Sequence, residues 1–203
     1  MSWGSARHEV DPRDHRVDAT DQKVTRKVID GRELAAVVFE EETISKRVAA
    51  LGGEIADYYR DGELVVLGLL KGSFIFLADL VRKIGRPLRV DFLIAASYGS
   101  GTTSSGQVRL VYDPEVDLEG KHVLVVEDIV DSGNTLNRLL CLLDERKPRS
   151  LEVCTLLHKR LARALAIEPR FVGFDAPPEF LVGYGLDRAE EFRHLPYIAS
   201  IRD

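Results

Sequence analysis

Three acidic residues and two hydroxyl residues lie within the nine-residue stretch E-D-I-V-D-S-G-N-T, from Glu127 to Thr135. Carboxylates accept hydrogen bonds and donate none, so the adjacent Glu127 and Asp128 suit a pair of donors such as a vicinal ribose diol. Gly133 permits a tight turn in which main-chain N–H groups converge, and such a turn at the start of a helix attracts anions. The stretch therefore predicts a ligand that carries both a phosphate and a free diol.

The elements on either side of this acidic turn are predicted from hydrophobic patterning. Val123 to Val126 is an apolar, β-branched run, typical of a strand buried on both faces of a parallel sheet, and we expect the strand to end there. From Asn134 onward apolar residues recur at helical spacing, at Leu136, Leu139, Leu140 and Leu143. The turn thus follows the carboxyl end of a strand, where open α/β sheets bind ligands. An acidic capping turn with no ligand is the alternative.

The segment V-V-E-D-I-V-D-S-G-N-T-L closely resembles the phosphoribosyl diphosphate signature of type I phosphoribosyltransferases, in the form carried by bacterial hypoxanthine-guanine enzymes. The resemblance implies that Glu127 and Asp128 hold the ribose hydroxyls and, with Asp187, approach Mg²⁺. It implies that Asp131 lies near the purine N7 as the general acid or base. The loop that holds the 5′-phosphate is implied to be Asp131, Ser132, Gly133, Asn134 and Thr135. Some relatives have Lys in place of Asn134, but main-chain amides are the principal donors there.

Two earlier segments match the same family. A Lys beside a Gly after the apolar run Leu64 to Leu70 is, on its own, either a small anion site or an ordinary turn with a solvated Lys. The resemblance implies that Lys71 and Gly72 contact the pyrophosphate, after a peptide bond that can be cis. Ser97 and Tyr98 open a run of Ser, Thr and Gly whose composition alone indicates a disordered connection. In the family this flexible loop closes over the site, which keeps water away from the reacting C1 atom.

Purine recognition is implied by matches nearer the C-terminus. Lys159 follows a strand pattern at Leu151 to Leu157 and would, by itself, be an ordinary surface charge. In the family the matching Lys donates to the 6-oxo group of hypoxanthine or guanine, whereas adenine presents a donor at that position. Phe180 matches the aromatic residue that stacks on the base, and Leu181 matches a residue whose backbone groups contact it.

Three residues beyond Phe180 also bear on the site. Asp187 matches an acid near both the purine and magnesium, and Arg193 matches a pyrophosphate-binding Arg. Arg188 departs from the family, because many relatives have Tyr there. The segment Tyr112 to Pro114 departs as well, so we assign no site residue to it.

The sequence predicts one α/β domain after an N-terminal extension. The chain has 203 residues, of which 45% are hydrophobic, enough for a substantial core. Residues 1–35 begin with a charged segment that shows no period, so we expect a flexible extension; residues 36–203 form the domain, with a core at about 40–165. Further elements are predicted as helices at Glu40 to Arg60 and Phe74 to Lys83, and as strands at Leu88 to Ala96, Val108 to Tyr112 and Phe171 to Phe174. The resemblance implies a parallel sheet flanked by helices, with a small hood from the C-terminal part and the N-terminal segment.

Charge and cysteine content limit the classes of function. A net charge of -5 and a pI near 5.6 argue against nucleic-acid binding, which usually needs a basic face. No apolar run reaches membrane-spanning length, and the N-terminus lacks a signal-peptide core. Cys141 and Cys154 lie in apolar surroundings far apart in the sequence, so we expect two buried free thiols, which suit a cytoplasmic protein.

The resemblance implies a purine salvage transferase that joins hypoxanthine or guanine to 5-phosphoribosyl 1-diphosphate, giving IMP or GMP and pyrophosphate. It implies Mg²⁺ as the cofactor and a homodimer or homotetramer as the assembly. One alternative is a phosphoribosyltransferase for another base, and a second is a regulator that senses the diphosphate and binds nucleic acid. A P-loop nucleotide hydrolase is excluded because G-x-x-x-x-G-K-[ST] is absent. The sequence leaves open the preference among hypoxanthine, guanine and xanthine.

Overall fold

The computed structural model describes residues 27–29, 32–97, 108–131, 133–159 and 167–201. These residues form three helices, α1 (Glu41–Tyr58), α2 (Phe74–Val81) and α3 (Asn134–Asp144). Their strands are β1 (Lys27–Ile29), β2 (Arg32–Phe39), β3 (Leu64–Leu70), β4 (Arg89–Ser97), β5 (Val108–Tyr112), β6 (His122–Val130), β7 (Ser150–His158), β8 (Phe171–Asp175), β9 (Phe180–Val182) and β10 (Ile198–Ile201). Two sheets result, one large and one small.

The large sheet is the core of the α/β domain and has the strand order β5-β4-β3-β6-β7-β8. All neighbouring pairs are parallel except β4 with β5. Both faces are buried: Leu64 and Val66 of β3 pack in the cluster that contains α1 and α2, whereas Val65 and Leu67 pack in the cluster that contains α3. This layering confirms the predicted parallel sheet flanked by helices, and it collects the carboxyl ends of β3, β6 and β7 at one edge.

The small sheet, called the hood here together with the connecting segment 183–197, has the order β1-β2-β10-β9 and is antiparallel. It joins an N-terminal strand pair to C-terminal strands, as the resemblance implied. Its own buried cluster consists of Val37, Val182, Phe192, Leu195, Tyr197, Ala199 and Ile201. β1 and the first part of β2 fall within residues 1–35, the range expected to be a flexible extension; the rest of that range lies outside the described residues.

The predicted end of the central strand at Val126 is wrong. Pairing of β6 with β3 does stop at Val126, opposite Gly68, but pairing with β7 continues to Val130, opposite His158. Hydrogen bonding from β7 therefore keeps the chain extended through the acidic residues, although the apolar run that signalled the strand has already ended. As a result Glu127 and Asp128 lie on the strand, not on the turn after it.

The expectation of two buried thiols holds for Cys154 only. Cys154 is buried in the core, whereas Cys141 is exposed, and both are free. The buried stripe of α3 is Leu136, Leu139, Leu140 and Leu143. Cys141 follows Leu140 by one residue, about 100° around the helix axis, which turns its side chain away from the sheet. Among the described helices, none is long and apolar enough to cross a membrane.

Candidate active site

The acidic pair Glu127 and Asp128 lies on the central strand β6, at the edge where pairing with β3 has ended. Both residues are partly buried, and Glu127 Oε2 is enclosed without a hydrogen-bond partner. Burial and the neighbouring Asp128 carboxylate raise the pKa of Glu127 well above its usual range, and burial also raises the pKa of Asp128. Two adjacent carboxylates with raised pKa values are suited to a ligand that brings donors or a cation.

The loop after β3 packs directly against this acidic pair. The Leu70–Lys71 peptide bond is cis, as the resemblance implied was possible. A Cβ atom added to Gly72 would lie 1.7 Å from Asp128 Oδ2, so only a residue without a side chain lets the two segments approach this closely. Buried Ser73 donates its hydroxyl to the carbonyl of Leu69 at 2.7 Å and holds the loop in place. The loop after β3, with Lys71 and Gly72, and the acidic pair therefore form one structural unit.

A cavity of about 440 Å³ opens beside this unit, a size common for small-molecule sites. Its walls come from β3, β4, β6, the first turn of α3 and the hood. Seven residues that the sequence singled out line it: Lys71, Gly72, Glu127, Asp128, Thr135, Asp187 and Arg193. These seven residues come from three separate segments of the sequence, 71–72, 127–135 and 187–193, which thus converge on one cavity.

The two cations of the cavity are held by carboxylates of the hood. Arg193 Nη2 lies 2.7 Å from Asp187 and 3.3 Å from Glu190, and its Nη1 donates to the Gly185 carbonyl at 2.7 Å. Lys71 Nζ lies 3.1 Å from Glu190. Hydrogen bonds from Lys71 and from Arg193 lower the pKa of Glu190. Glu190 was not predicted from the sequence. It lies three residues after Asp187 and three before Arg193, a spacing typical of charged residues on a solvent-exposed surface.

The start of α3 decides against the acidic capping turn. The residue before the helix is Gly133, with a φ of +70°, and the first turn contains no acid. Asp131 precedes this glycine and does not cap the helix. Exposed Asn134 and Thr135 begin α3, whose first N–H groups have no intrahelical partner, as at any helix start. The phosphate site at this end stays a prediction, and Ser132 lies outside the described residues.

Lys159 is not an ordinary surface charge. Its side chain is only 13% exposed, and its backbone N–H donates to Val130 at 2.9 Å, which continues the alignment of β7 with β6. The ammonium group lies 3.4 Å from the Asp131 carboxylate, although the two residues are 28 positions apart. The fold thus joins the two side chains that the resemblance assigned to adjacent groups of a purine.

Two other residues predicted to contact the substrates, Phe180 and Leu181, do not line the cavity. Phe180 begins β9 and its side chain is 49% exposed, with the Arg188 guanidinium 5.9 Å from the ring centre. Leu181 is buried, and β9 is the last strand in the hood sheet order, so one side of its backbone points away from the sheet. Ser97 ends β4, and Tyr98 lies outside the described residues.

The predicted magnesium ligands do not by themselves form a closed metal site. Within the described ranges, no three His, Cys, Asp or Glu side chains converge closely enough to hold a metal ion. Glu127, Asp128 and Asp187 nevertheless line the same cavity, and their oxygens are the hard ligands that Mg²⁺ requires. Because Mg²⁺ usually takes one or two carboxylates together with substrate phosphates and water, these residues fit a metal that arrives with its phosphate ligand.

Comparison with known proteins agrees with this geometry. Residues 38–189 match the family model of the phosphoribosyl transferase domain, and the chain belongs to this family. It is 47% identical over 167 residues to the hypoxanthine phosphoribosyltransferase of Salmonella typhimurium, covering 81% of this chain and 94% of that protein. It is also 47% identical over 175 residues to the hypoxanthine-guanine phosphoribosyltransferase of Mycobacterium avium, covering 83% and 86% of the two chains. A crystal structure of a hypoxanthine phosphoribosyltransferase from Staphylococcus aureus superimposes with a TM-score of 0.79 at 42% identity, covering 83% of this chain and 92% of that one.

Proposed function

We propose that this protein transfers a phosphoribosyl group from 5-phosphoribosyl 1-diphosphate to hypoxanthine or guanine, as a purine salvage enzyme. The observation that carries the proposal is the Lys159–Asp131 pair, 3.4 Å apart, on the strand ends next to the acidic pair. In a 6-oxopurine the O6 and N7 atoms share one edge of the ring. An ammonium donor and a carboxylate held side by side are suited to that edge: Lys159 donates to O6 and Asp131 manages the N7 proton.

The sugar diphosphate occupies the adjoining cavity in this proposal. Glu127 and Asp128 accept hydrogen bonds from the ribose hydroxyls, and the start of α3 holds the 5′-phosphate. Lys71 and Arg193, both in the cavity wall, donate to the diphosphate oxygens. Charge-assisted hydrogen bonds of this kind stabilise the negative charge that grows on the leaving pyrophosphate as the C1–O bond breaks.

Bond formation at C1 requires a base that is already oriented. Phe180 offers an exposed ring face for stacking, which supplies affinity without selecting ring substituents. As N9 of the purine bonds to C1 and pyrophosphate leaves, the base loses one proton, which Asp131 accepts at N7. The loop that Ser97 and Tyr98 introduce is proposed to exclude water, because hydrolysis at C1 would otherwise compete with transfer.

Magnesium, when bound with the diphosphate, supplies positive charge at the leaving group. Glu127, Asp128 and Asp187 are the residues that would hold it. The enclosed and unpartnered Glu127 Oε2 supports this assignment, because a buried carboxylate oxygen needs a donor or a cation.

A panel of bases tests the proposed activity. We expect magnesium-dependent consumption of hypoxanthine and guanine with 5-phosphoribosyl 1-diphosphate, and rejection of adenine, whose 6-amino group meets the Lys159 ammonium. Xanthine in the same panel resolves the preference that the sequence leaves open. Turnover of adenine or a pyrimidine in place of the 6-oxopurines would contradict the proposal.

The assembly and location are part of the same proposal. A homodimer or homotetramer is supported by large apolar side chains exposed on α2 and β4, Phe74, Val90 and Phe92. A monomer in light scattering at micromolar concentration would contradict it. The two cysteines form no disulfide, which is consistent with the expected cytoplasmic location.

The rival class, a regulator that binds nucleic acid, has less support. The net charge is -5, whereas nucleic-acid binding usually needs a basic face. A filter-binding assay with duplex DNA decides between the two classes, and we expect no binding at physiological salt.

A further inference from the structure

The carboxylate of Glu190 bridges the two cations that the proposed function assigns to pyrophosphate. Its Oε1 lies 3.1 Å from Lys71 Nζ, and its Oε2 lies 3.3 Å from Arg193 Nη2. Each oxygen therefore takes one cation, much as two oxygens of a phosphate group would. Lys71 and Glu190 are 119 positions apart in the sequence, so the docking of the hood on the core creates this contact.

The backbone around Glu190 presents this carboxylate to the cavity. Ala189 and Glu190 have φ values of +54° and +67°, in the left-handed region that non-glycine residues seldom adopt. The Glu190 N–H donates to Asp187 Oδ2 at 2.8 Å, which closes the turn. On the same hood segment, Gly185 lies so close to the carbonyl of Gly72 that an added Cβ atom would come within 2.2 Å of the oxygen. The hood turn is thus seated on the pyrophosphate loop.

Packing does not explain the position of the Glu190 side chain. The side chain is 64% exposed, and Lys71 opposite it is 67% exposed. Exposed ion pairs are individually weak, and they exchange readily for a stronger ligand. A diphosphate carries more charge than one carboxylate, so it can displace Glu190 from both cations.

We propose that Glu190 is a displaceable counter-anion that holds Lys71 and Arg193 when the diphosphate site is empty and takes them back as pyrophosphate leaves. The inference rests on the proposed function, since it assigns a role at the same site. Glu190 acts through the two cations and is therefore a positioning residue, not a catalytic one. It weakens binding of the diphosphate group by competition, and it speeds the release of the product.

Glu190→Gln tests the proposal, because it removes the charge while nearly preserving the shape. The affinity for inorganic pyrophosphate with Mg²⁺ should increase about three- to tenfold, the amount expected for the loss of one exposed ion pair to Lys71 and one to the largely buried Arg193 side chain. Titration calorimetry measures this directly. The matched control is Glu191→Gln, which makes the same change in net charge at the next residue, exposed and outside the cavity wall; its affinity should equal that of the parent.

Two further readouts separate competition from a structural role. The KM for 5-phosphoribosyl 1-diphosphate should fall in Glu190→Gln without a rise in kcat, because product release becomes slower. In a Lys71→Met background the gain from Glu190→Gln should shrink, since one of the two contacts is already gone. A general loosening of the hood would raise KM and would not depend on Lys71. If Glu190→Gln does not fold, Glu190→Ser gives the same comparison.

Unchanged pyrophosphate binding in Glu190→Gln would overturn the inference, because Glu190 would then not compete with the ligand. Weaker binding would overturn it as well, because Glu190 would then assist the binding of the ligand. The proposed function is judged separately, by phosphoribosyl transfer in the parent protein. Pyrophosphate binding without transfer would refute the proposed function alone, and pyrophosphate binding by none of the variants would refute both.

Discussion

Gly72→Ala should separate the activity of this protein from its stability. The added Cβ atom would lie 1.7 Å from Asp128 Oδ2 and 2.5 Å from Asp128 Cγ. A carbon and an oxygen in contact need about 3.3 Å, so the carboxylate oxygen must move by about 1.6 Å or the loop must move instead. The obstructing atoms are at the end of a rotatable side chain, so the fold can relax by turning Asp128 out of the acidic pair.

The two consequences differ in size. Overpacking that one side chain can relieve costs about 1–3 kcal/mol of unfolding free energy. A misplacement of about 1 Å at a reacting centre can cost about a hundredfold in rate. We therefore expect kcat/KM for 5-phosphoribosyl 1-diphosphate to fall about a hundredfold in a protein that still unfolds cooperatively.

The assay compares initial rates at saturating hypoxanthine with urea unfolding of the same preparations. Gly53→Ala is the matched control, because a Cβ atom at this position in α1 meets nothing within 4 Å. That variant should keep its activity and gain about 0.5–1 kcal/mol, as alanine replaces glycine inside a helix. A Gly72→Ala protein with kcat/KM near that of the parent would refute the reasoning, since the loop and Asp128 would then not be packed together in the working protein.

Three further outcomes are expected. Asp131→Asn should lower kcat by about 10²- to 10⁴-fold with little change in base binding, because proton transfer at N7 is lost; near-parental kcat would remove Asp131 from that role. Lys159→Gln should reduce the preference for hypoxanthine over adenine, measured as the ratio of kcat/KM values, and an unchanged ratio would contradict the reading of O6 by Lys159. Burial and the nearby Arg149 lower the pKa of His122 in the folded state, so the contribution of neutral His122 to stability is fully present above about pH 6.5 and is lost as the pH falls through the lowered pKa. His122→Asn should lessen this acid-side loss in urea unfolding between pH 7 and 5, whereas His194→Gln, at an exposed position, should leave it as in the parent.

Much of the core could be predicted from local patterns because local physics determines them. The leucine stripe of α3 and the apolar run of β3 specify an amphipathic helix and a doubly buried strand wherever they occur in a chain. The hood strands could not be found in the same way. β9 and β10 are three and four residues long, and segments this short acquire their conformation from the partners with which they pair.

The sequence by itself determined which chemical groups are available, since residue type and spacing encode donors, acceptors and charge. These groups are the acidic stretch, a lysine that can donate to an oxo group, and cations that can bind phosphates. Only the tertiary structure decided where these groups meet. It extended β6 through Glu127, placed the partly buried Lys159 beside Asp131, and set Glu190 between Lys71 and Arg193. The reason is physical, because each of these contacts joins segments that are distant in the sequence. Strand order and the docking of the hood bring those segments together, and no single stretch of sequence determines either of them.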